Sequence, residues 1–307
     1  MQLFLDILLN IIFPVFLLMG MGIILHRIFT FDLRTLSKIT MYYLLPVVGF
    51  VNIYESDLNG KVFLQVIVFQ LGFSLVLMFL AGSFSRLTKM EKKTKANFKN
   101  SIVLMNSGNY GIPVSQFVFS AQPIGMSIQI IVMIVQNFLT NTYGLMNVIS
   151  VTHSGWKVLK EFLKLPMIYA LVLGLLFQYF QVTIPSFVWN PVLQISDSFL
   201  AIALLALGAQ VAYIPLKRID FVLVASTIGR LIVSPLIALV LLLLFGMGGT
   251  VAKALFIASS FPASRNSAQL ALEFDVDPEH AGQTVLVTTI LSAITVTFVV
   301  YLADLIF

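Results

Sequence analysis

Asn106-Ser107-Gly108-Asn109-Tyr110-Gly111-Ile112-Pro113 sits near the middle of an apolar stretch, and so does Phe261-Pro262-Ala263-Ser264-Arg265-Asn266. Gly, Asn, Ser and Pro are poor helix-interior residues, and Pro also removes a backbone donor and clashes with the preceding turn. Each stretch therefore reads as a break in a hydrophobic helix. In hydrocarbon a lipid-facing break leaves backbone groups unpaired, so such breaks persist only where they are buried or line a cavity. Two of them, one in each half of the chain, point to a transport site.

The surrounding chain fits a bilayer. Of its 307 residues 59% are hydrophobic and 10% charged, and the mean hydropathy is +1.00. Soluble domains carry about 25% charged residues, so this chain lacks the surface to dissolve in water. There is no cysteine, which excludes disulfides and thiolate chemistry. Three histidines, no HExxH and no ligand-spaced carboxylates leave a metalloenzyme little to work with. No Ser/His, His/Glu or paired-Asp constellation supports an enzyme, and no cofactor is expected. The N-terminal apolar run is too long for a signal peptide and reads as a first span.

A spanning helix needs about 20 apolar residues, and ten segments qualify. They are Phe4–Leu25, Thr35–Tyr54, Val62–Phe84, Phe98–Ser120, Met126–Ser150, Leu163–Phe180, Pro191–Val211, Phe221–Phe245, Val251–Leu272 and Ala281–Ala303. The breaks fall in the fourth and ninth. Lys and Arg concentrate in the odd-numbered connections: Arg27, Arg34 and Lys38; the run from Arg86 to Lys99; Lys157, Lys160 and Lys164; Lys217 and Arg218. The even-numbered connections hold only Lys61 and Lys253. The odd connections are then cytoplasmic and both termini lie outside a cell membrane. The basic run reads as a topology determinant rather than a nucleic-acid or lipid patch, and no nucleic-acid partner is expected.

Five segments per half, with both ends outside, make the halves (residues 1–150 and 151–307) inverted copies of each other. Pro14 and Gly22 in the first segment match Pro166 and Gly174 in the sixth, and Ser37 and Gly49 in the second match Ser196 and Gly208 in the seventh. The expected fold is all-α and integral to the membrane, with ten helices in two inverted five-helix repeats and broken helices crossing at mid-depth.

At such a crossing the second half-helices begin near the midplane. Pro113 and Pro262 suit their first turns, where free amides and a partial positive charge favour an anion. Asn106, Ser107, Asn109, Tyr110, Ser264 and Asn266 add polar groups that either hold a solute or satisfy the broken backbone. Arg265 is a cation at mid-membrane, which costs at least about 2.5–3.5 kcal/mol on insertion scales. Its partner is either a solute carboxylate, held by two parallel hydrogen bonds, or a fixed group such as Asp197 or backbone carbonyls. Arg230, followed by Ser234-Pro235, suggests a carbonyl cap. Pro46, Gly49, Asn52, Gln136, Thr140, Arg230 and Thr288 are candidates for the cavity wall. Polar faces on the fifth and tenth segments serve either as packing glue or as that wall.

These residues resemble the auxin efflux carrier family in its bacterial branch. Asn106-x4-Gly111-Ile112-Pro113 is similar to the family's fourth-helix motif. Pro262 through Ala271-x-Glu273-Phe274-x-Val276-x-Pro278 is similar to its second-half motif, and Leu45-Pro46 and Thr288-Thr289-Ile290-Leu291-Ser292 also match. The resemblance spans the chain and implies a ten-helix inverted repeat of the bile-acid symporter type. It also implies transport of organic acids, malate or malonate in bacterial relatives and auxin in plant ones. Carried over, Asn106, Pro113 and the stretch after Pro262 lie at the carboxylate site. The long central loop of plant members is absent, and Arg265 replaces the apolar residue usual there, which favours a small charged acid over auxin.

The reading is a secondary carrier of small carboxylates working by alternating access. Its alternatives are a sodium- or proton-coupled carrier of another solute, or a membrane sensor that binds without transport. The expected partners are a small carboxylate and the lipid bilayer. A coupling ion (H+ or Na+) and a second copy of the chain in a homodimer are left open.

Overall fold

The computed structural model of the protein describes residues 2–55, 60–149, 166–213 and 219–307. The 150/151 boundary, Lys157, Lys160, Lys164, Lys217 and Arg218 lie outside the described residues. Among the described residues, twelve helices fall on the apolar segments of the sequence. They are α1 (Phe4–Phe29), α2 (Leu33–Tyr54), α3 (Gly60–Leu87), α4 (Lys92–Val103), α5 (Ile112–Val118) and α6 (Pro123–Val148). The second half has α7 (Pro166–Tyr179), α8 (Ser186–Val211), α9 (Phe221–Leu244), α10 (Gly249–Ser259), α11 (Arg265–Glu273) and α12 (Pro278–Ile306). Seven of these are long and apolar enough to cross a membrane. The fourth and ninth segments are each split in two, as α4/α5 and α10/α11. α4 starts at Lys92, six residues before the sequence boundary at Phe98, so Lys92, Lys93, Lys95 and Lys99 of the basic run are helical.

Polarity is inverted relative to a water-soluble protein. Leu5, Leu9, Phe13, Leu17, Met21, Ile24 and Ile28 form an exposed stripe along α1, and Leu64, Val68, Leu71, Leu75 and Phe79 form another on α3. Their spacing of three and four residues keeps each stripe on one helix face. Gln70, Gln129, Gln136, Thr288 and Ser292 are meanwhile buried. Apolar faces this long are stable against lipid and a liability in water.

Among the described residues five helical stretches widen into π-turns, and four of them end two residues before a proline. These four are Leu8–Ile12 before Pro14, Thr40–Leu44 before Pro46, Ser107–Gly111 before Pro113, and Gly229–Val233 before Pro235. Proline clashes with the carbonyl one turn back, and the wider turn moves that carbonyl aside, so the helices continue through their prolines.

The helices group into two bundles. α1 packs most extensively on α8, and α2 on α7, with α2 also touching α8. The sequence match between Gly22 and Gly174 has a packing basis, since both sit at these two seams. A Cβ on Gly22 would lie 2.2 Å from the Leu205 carbonyl oxygen, and one on Gly174 3.1 Å from Ile53. Gly208 faces α1 from the other side, where a Cβ would lie 1.9 Å from the Met19 oxygen. Only residues without a side chain allow the backbones so close. α3–α6 and α9–α12 form the second bundle around the split segments.

Polar contacts define the two ends. Arg27 donates to the Ala212 carbonyl (3.1 Å), Lys93 to that of Asp275 (2.9 Å) and Asn97 to that of Val276 (2.7 Å), while His280 lies 3.4 Å from Asp220. The α1–α2, α3–α4, α8–α9 and α11–α12 connections therefore share one end, which carries most of the lysines and arginines among the described residues. At the other end Tyr54 donates to the Val182 carbonyl at 2.8 Å.

Candidate functional site

The two interrupted segments meet at their breaks. Met105 and Ala263 form an isolated antiparallel bridge. The Asn106 amide donates to the Pro262 carbonyl and the Ser264 amide to the Leu104 carbonyl, both at 2.9 Å. Pro262 is asked only to accept here, so its missing N–H costs nothing. It ends α10 rather than opening α11, because Ser264 is the N-cap of α11 and accepts the Asn266 amide at 3.2 Å. Pro113 does lie in the first turn of α5.

Each break diverts amides from their helical acceptors, and side chains of spanning helices replace what is lost. The Met105 amide donates to Gln136 Oε1 on α6, and the Ala263 amide to Thr288 Oγ1 on α12, each at 3.2 Å. On the carbonyl side, Ile102 loses its helical donor when the Asn106 amide turns to Pro262, and Ser259 loses its own when Ala263 turns to Thr288. Arg230 on α9 answers both. Its Nη1 donates to the Ile102 carbonyl at 2.6 Å, and its Nη2 to Ser234 Oγ and the Ser259 carbonyl. Ser234 Oγ also donates to the Ser259 carbonyl at 2.9 Å. Arg230 is fully buried. The C-terminal ends of α4 and α10 each carry about half a negative charge, and one guanidinium neutralises the pair.

Asn106, Ser107 and Tyr110 are buried, and Asn109 is half-buried. Gln129 donates to the Ser107 carbonyl at 2.9 Å, and the Tyr110 hydroxyl is hydrogen-bonded to Ser292 Oγ at 2.9 Å. Asn106 Nδ2 and Gln136 Nε2 are buried without a partner among the described residues. A buried amide without a partner is uncommon.

Next to the crossing, on the basic end, lies a cavity of about 790 Å³. α11 contributes Arg265, Asn266 and Gln269; α6 contributes Asn137, Thr140 and Asn141; α2 contributes Arg34, Ser37, Lys38 and Tyr42; α8 contributes Gln210. Among the described residues its lining holds three cationic side chains and no carboxylate. Arg265 stands at the first position of α11, beside the positive end of the helix. Its Nη2 donates to Ser37 Oγ at 3.0 Å, and among the described residues no carboxylate pairs with it. Asp197 instead acts on Glu55, toward the opposite end of α2.

The cavity thus joins Arg265, Asn266 and Thr140. The remaining residues of the two breaks lie behind it in the crossing, together with Gln136, Thr288 and Arg230. Pro46, Gly49 and Asn52 lie farther along α2, outside the lining; the Asn52 carbonyl accepts from Ser127 at 2.9 Å. Arg34, Ser37, Lys38, Gln210 and Gln269 had not been singled out as site residues. Gln269, one turn after Arg265, had a usable signal; Arg34 and Lys38 looked like ordinary topology determinants.

Comparison with known proteins agrees with this architecture. A relative from Methanothermobacter thermautotrophicus, described as an uncharacterized transporter, is 23% identical over 274 residues, covering 86% of each chain. A family model described as membrane transport protein matches residues 7–154 and 149–300. With nearly the whole sequence matched, this chain belongs to the membrane transport protein family, the auxin efflux carrier family.

Proposed function

We propose that the protein is a secondary carrier of small organic anions, carboxylates such as malate or malonate, with its solute site in the cavity beside the crossing. The observation that carries this is the lining: Arg265, Arg34 and Lys38 face one space without a carboxylate among them. A concave site of one charge sign with low-dielectric walls concentrates the opposite charge. Hydrogen bonds to a charged group contribute about 1.5–3 kcal/mol each, and a carboxylate would accept two from the Arg265 guanidinium, which donates one to the neutral Ser37 Oγ. Asn266, Thr140 and Asn141 would orient the remaining oxygens.

In this reading the ten segments form two inverted halves in a cell membrane, with the basic end cytoplasmic and both termini outside. The α1–α8 and α2–α7 seams support the inversion, since exchanging the halves turns one pair into the other. Transport is then alternating access, with the bundle of α3–α6 and α9–α12 moving against the other and carrying Arg265 with it.

Counterflow of labelled malate in proteoliposomes, with mono- and dicarboxylates as competitors, tests the proposal. Arg265→Gln is expected to abolish uptake while the purified variant keeps its elution profile. Wild-type uptake by that variant would remove Arg265 from the site. No uptake by folded wild-type protein would point to another solute, a required ion gradient or a sensor.

A further inference from the structure

Arg265 belongs to the second bundle and Ser37 to the first, so their 3.0 Å hydrogen bond ties the bundles together across the cavity. Gln210 on α8, also in the first bundle, approaches the same hydroxyl at 3.4 Å. The guanidinium therefore spends a donor on a neutral oxygen although it has five donors in a planar fork. Hydrogen bonds between two ionised partners are shorter than neutral ones and roughly twice as strong, so Ser37 is an acceptor that a carboxylate in the cavity would displace.

We propose that the Arg265–Ser37 contact is a latch, closed while the cavity is empty and released when a solute carboxylate takes the guanidinium. The proposal rests on the carboxylate-carrier reading and adds a coupling between occupancy and bundle movement. With the latch closed, the empty second bundle is held against the first; once loaded, it is free to move. Exchange of solute for solute is then faster than net efflux, which requires the empty protein to return. Ser37 acts here through Arg265, as a positioning residue.

Two measurements on Ser37→Ala in the full chain test it. The first is efflux of labelled malate from proteoliposomes with and without unlabelled malate outside. Wild type is expected to be accelerated by external malate. The variant should lose this acceleration through a faster empty return, by about tenfold, the effect of one hydrogen bond to a charged group. Ser37→Thr, which keeps the hydroxyl, should retain the wild-type ratio. The second measurement needs no solute. Because the chain has no cysteine, spin labels at Phe29→Cys on α1 and Lys92→Cys on α4 report the distance between bundles by double electron–electron resonance. In the unloaded protein, Ser37→Ala should populate a second distance that wild type lacks.

Unchanged acceleration and unchanged distances would overturn the latch and leave the carrier reading standing. A new distance in a protein that does not exchange malate would support the latch and reject malate as the solute that opens it. Equal effects of Ala and Thr would assign the change to side-chain shape and overturn the latch.

Discussion

The two arginines inside the membrane are expected to fail in opposite ways when replaced, and Arg230 offers the sharper test. Arg230→Met keeps the length of the side chain and removes its donors. Among the described residues the Ile102 carbonyl then has no donor, since its helical partner, the Asn106 amide, is bonded to Pro262. The Ser259 carbonyl retains only Ser234. A buried polar group stripped of its partner costs about 1–3 kcal/mol, and more when the lost partner was charged. Two carbonyls at the ends of two half-helices therefore bring the loss to about 4 kcal/mol. For a chain of this size each kcal/mol moves the midpoint by about 1.5–2 °C, so the thermal transition of the purified protein should fall by about 6–8 °C. Fluorescence-detected size-exclusion chromatography after stepwise heating reads this directly. Arg230→Lys should recover part of the loss, because a point charge on a flexible stem cannot reach both carbonyls as a planar fork does. Arg265→Gln, by contrast, should leave the midpoint nearly where it was. A transition of Arg230→Met within about 2 °C of wild type would refute the argument that the guanidinium neutralises both helix ends.

The α1–α8 seam and the surface caps supply further tests. Gly208→Ala puts a methyl 1.9 Å from the Met19 oxygen, so the two helices must separate, at a cost of about 1–3 kcal/mol; the same heating assay should register a drop of several degrees, and Gly20→Ala, with open space around it, should not. Asp220 caps α9 through the Leu223 amide at 2.7 Å. Burial works against its charge, but the Leu223 amide and His280 outweigh burial and hold the carboxyl below its ordinary value. Its contribution is therefore present at neutral pH and lost as pH falls through that lowered value. Asp220→Asn should cost about 0.5–1 kcal/mol at pH 7, with the gap to wild type closing below about pH 4; a gap independent of pH would show that charge plays no part.

Much of the molecule was legible from residue types alone. Apolar periodicity and the scarcity of charge call for a bilayer, whatever the packing. Gly, Asn and Pro inside two apolar segments mark both breaks, because hydrocarbon offers no solvent for a freed amide or carbonyl. Even the capping role of Arg230 was suggested by the Ser234-Pro235 that follows it. What only tertiary structure decided is which side chains share a space. Arg265 and Ser37 are 228 positions apart, and no periodicity relates them; the packing of α11 beside α2 does. Arg34 and Lys38 carry the same sequence signal whether they only fix topology or also face a cavity. The sequence places a cation in the membrane, but its partner depends on how two bundles meet, because charge and hydrogen bonding act over a few ångströms of space and not along the chain.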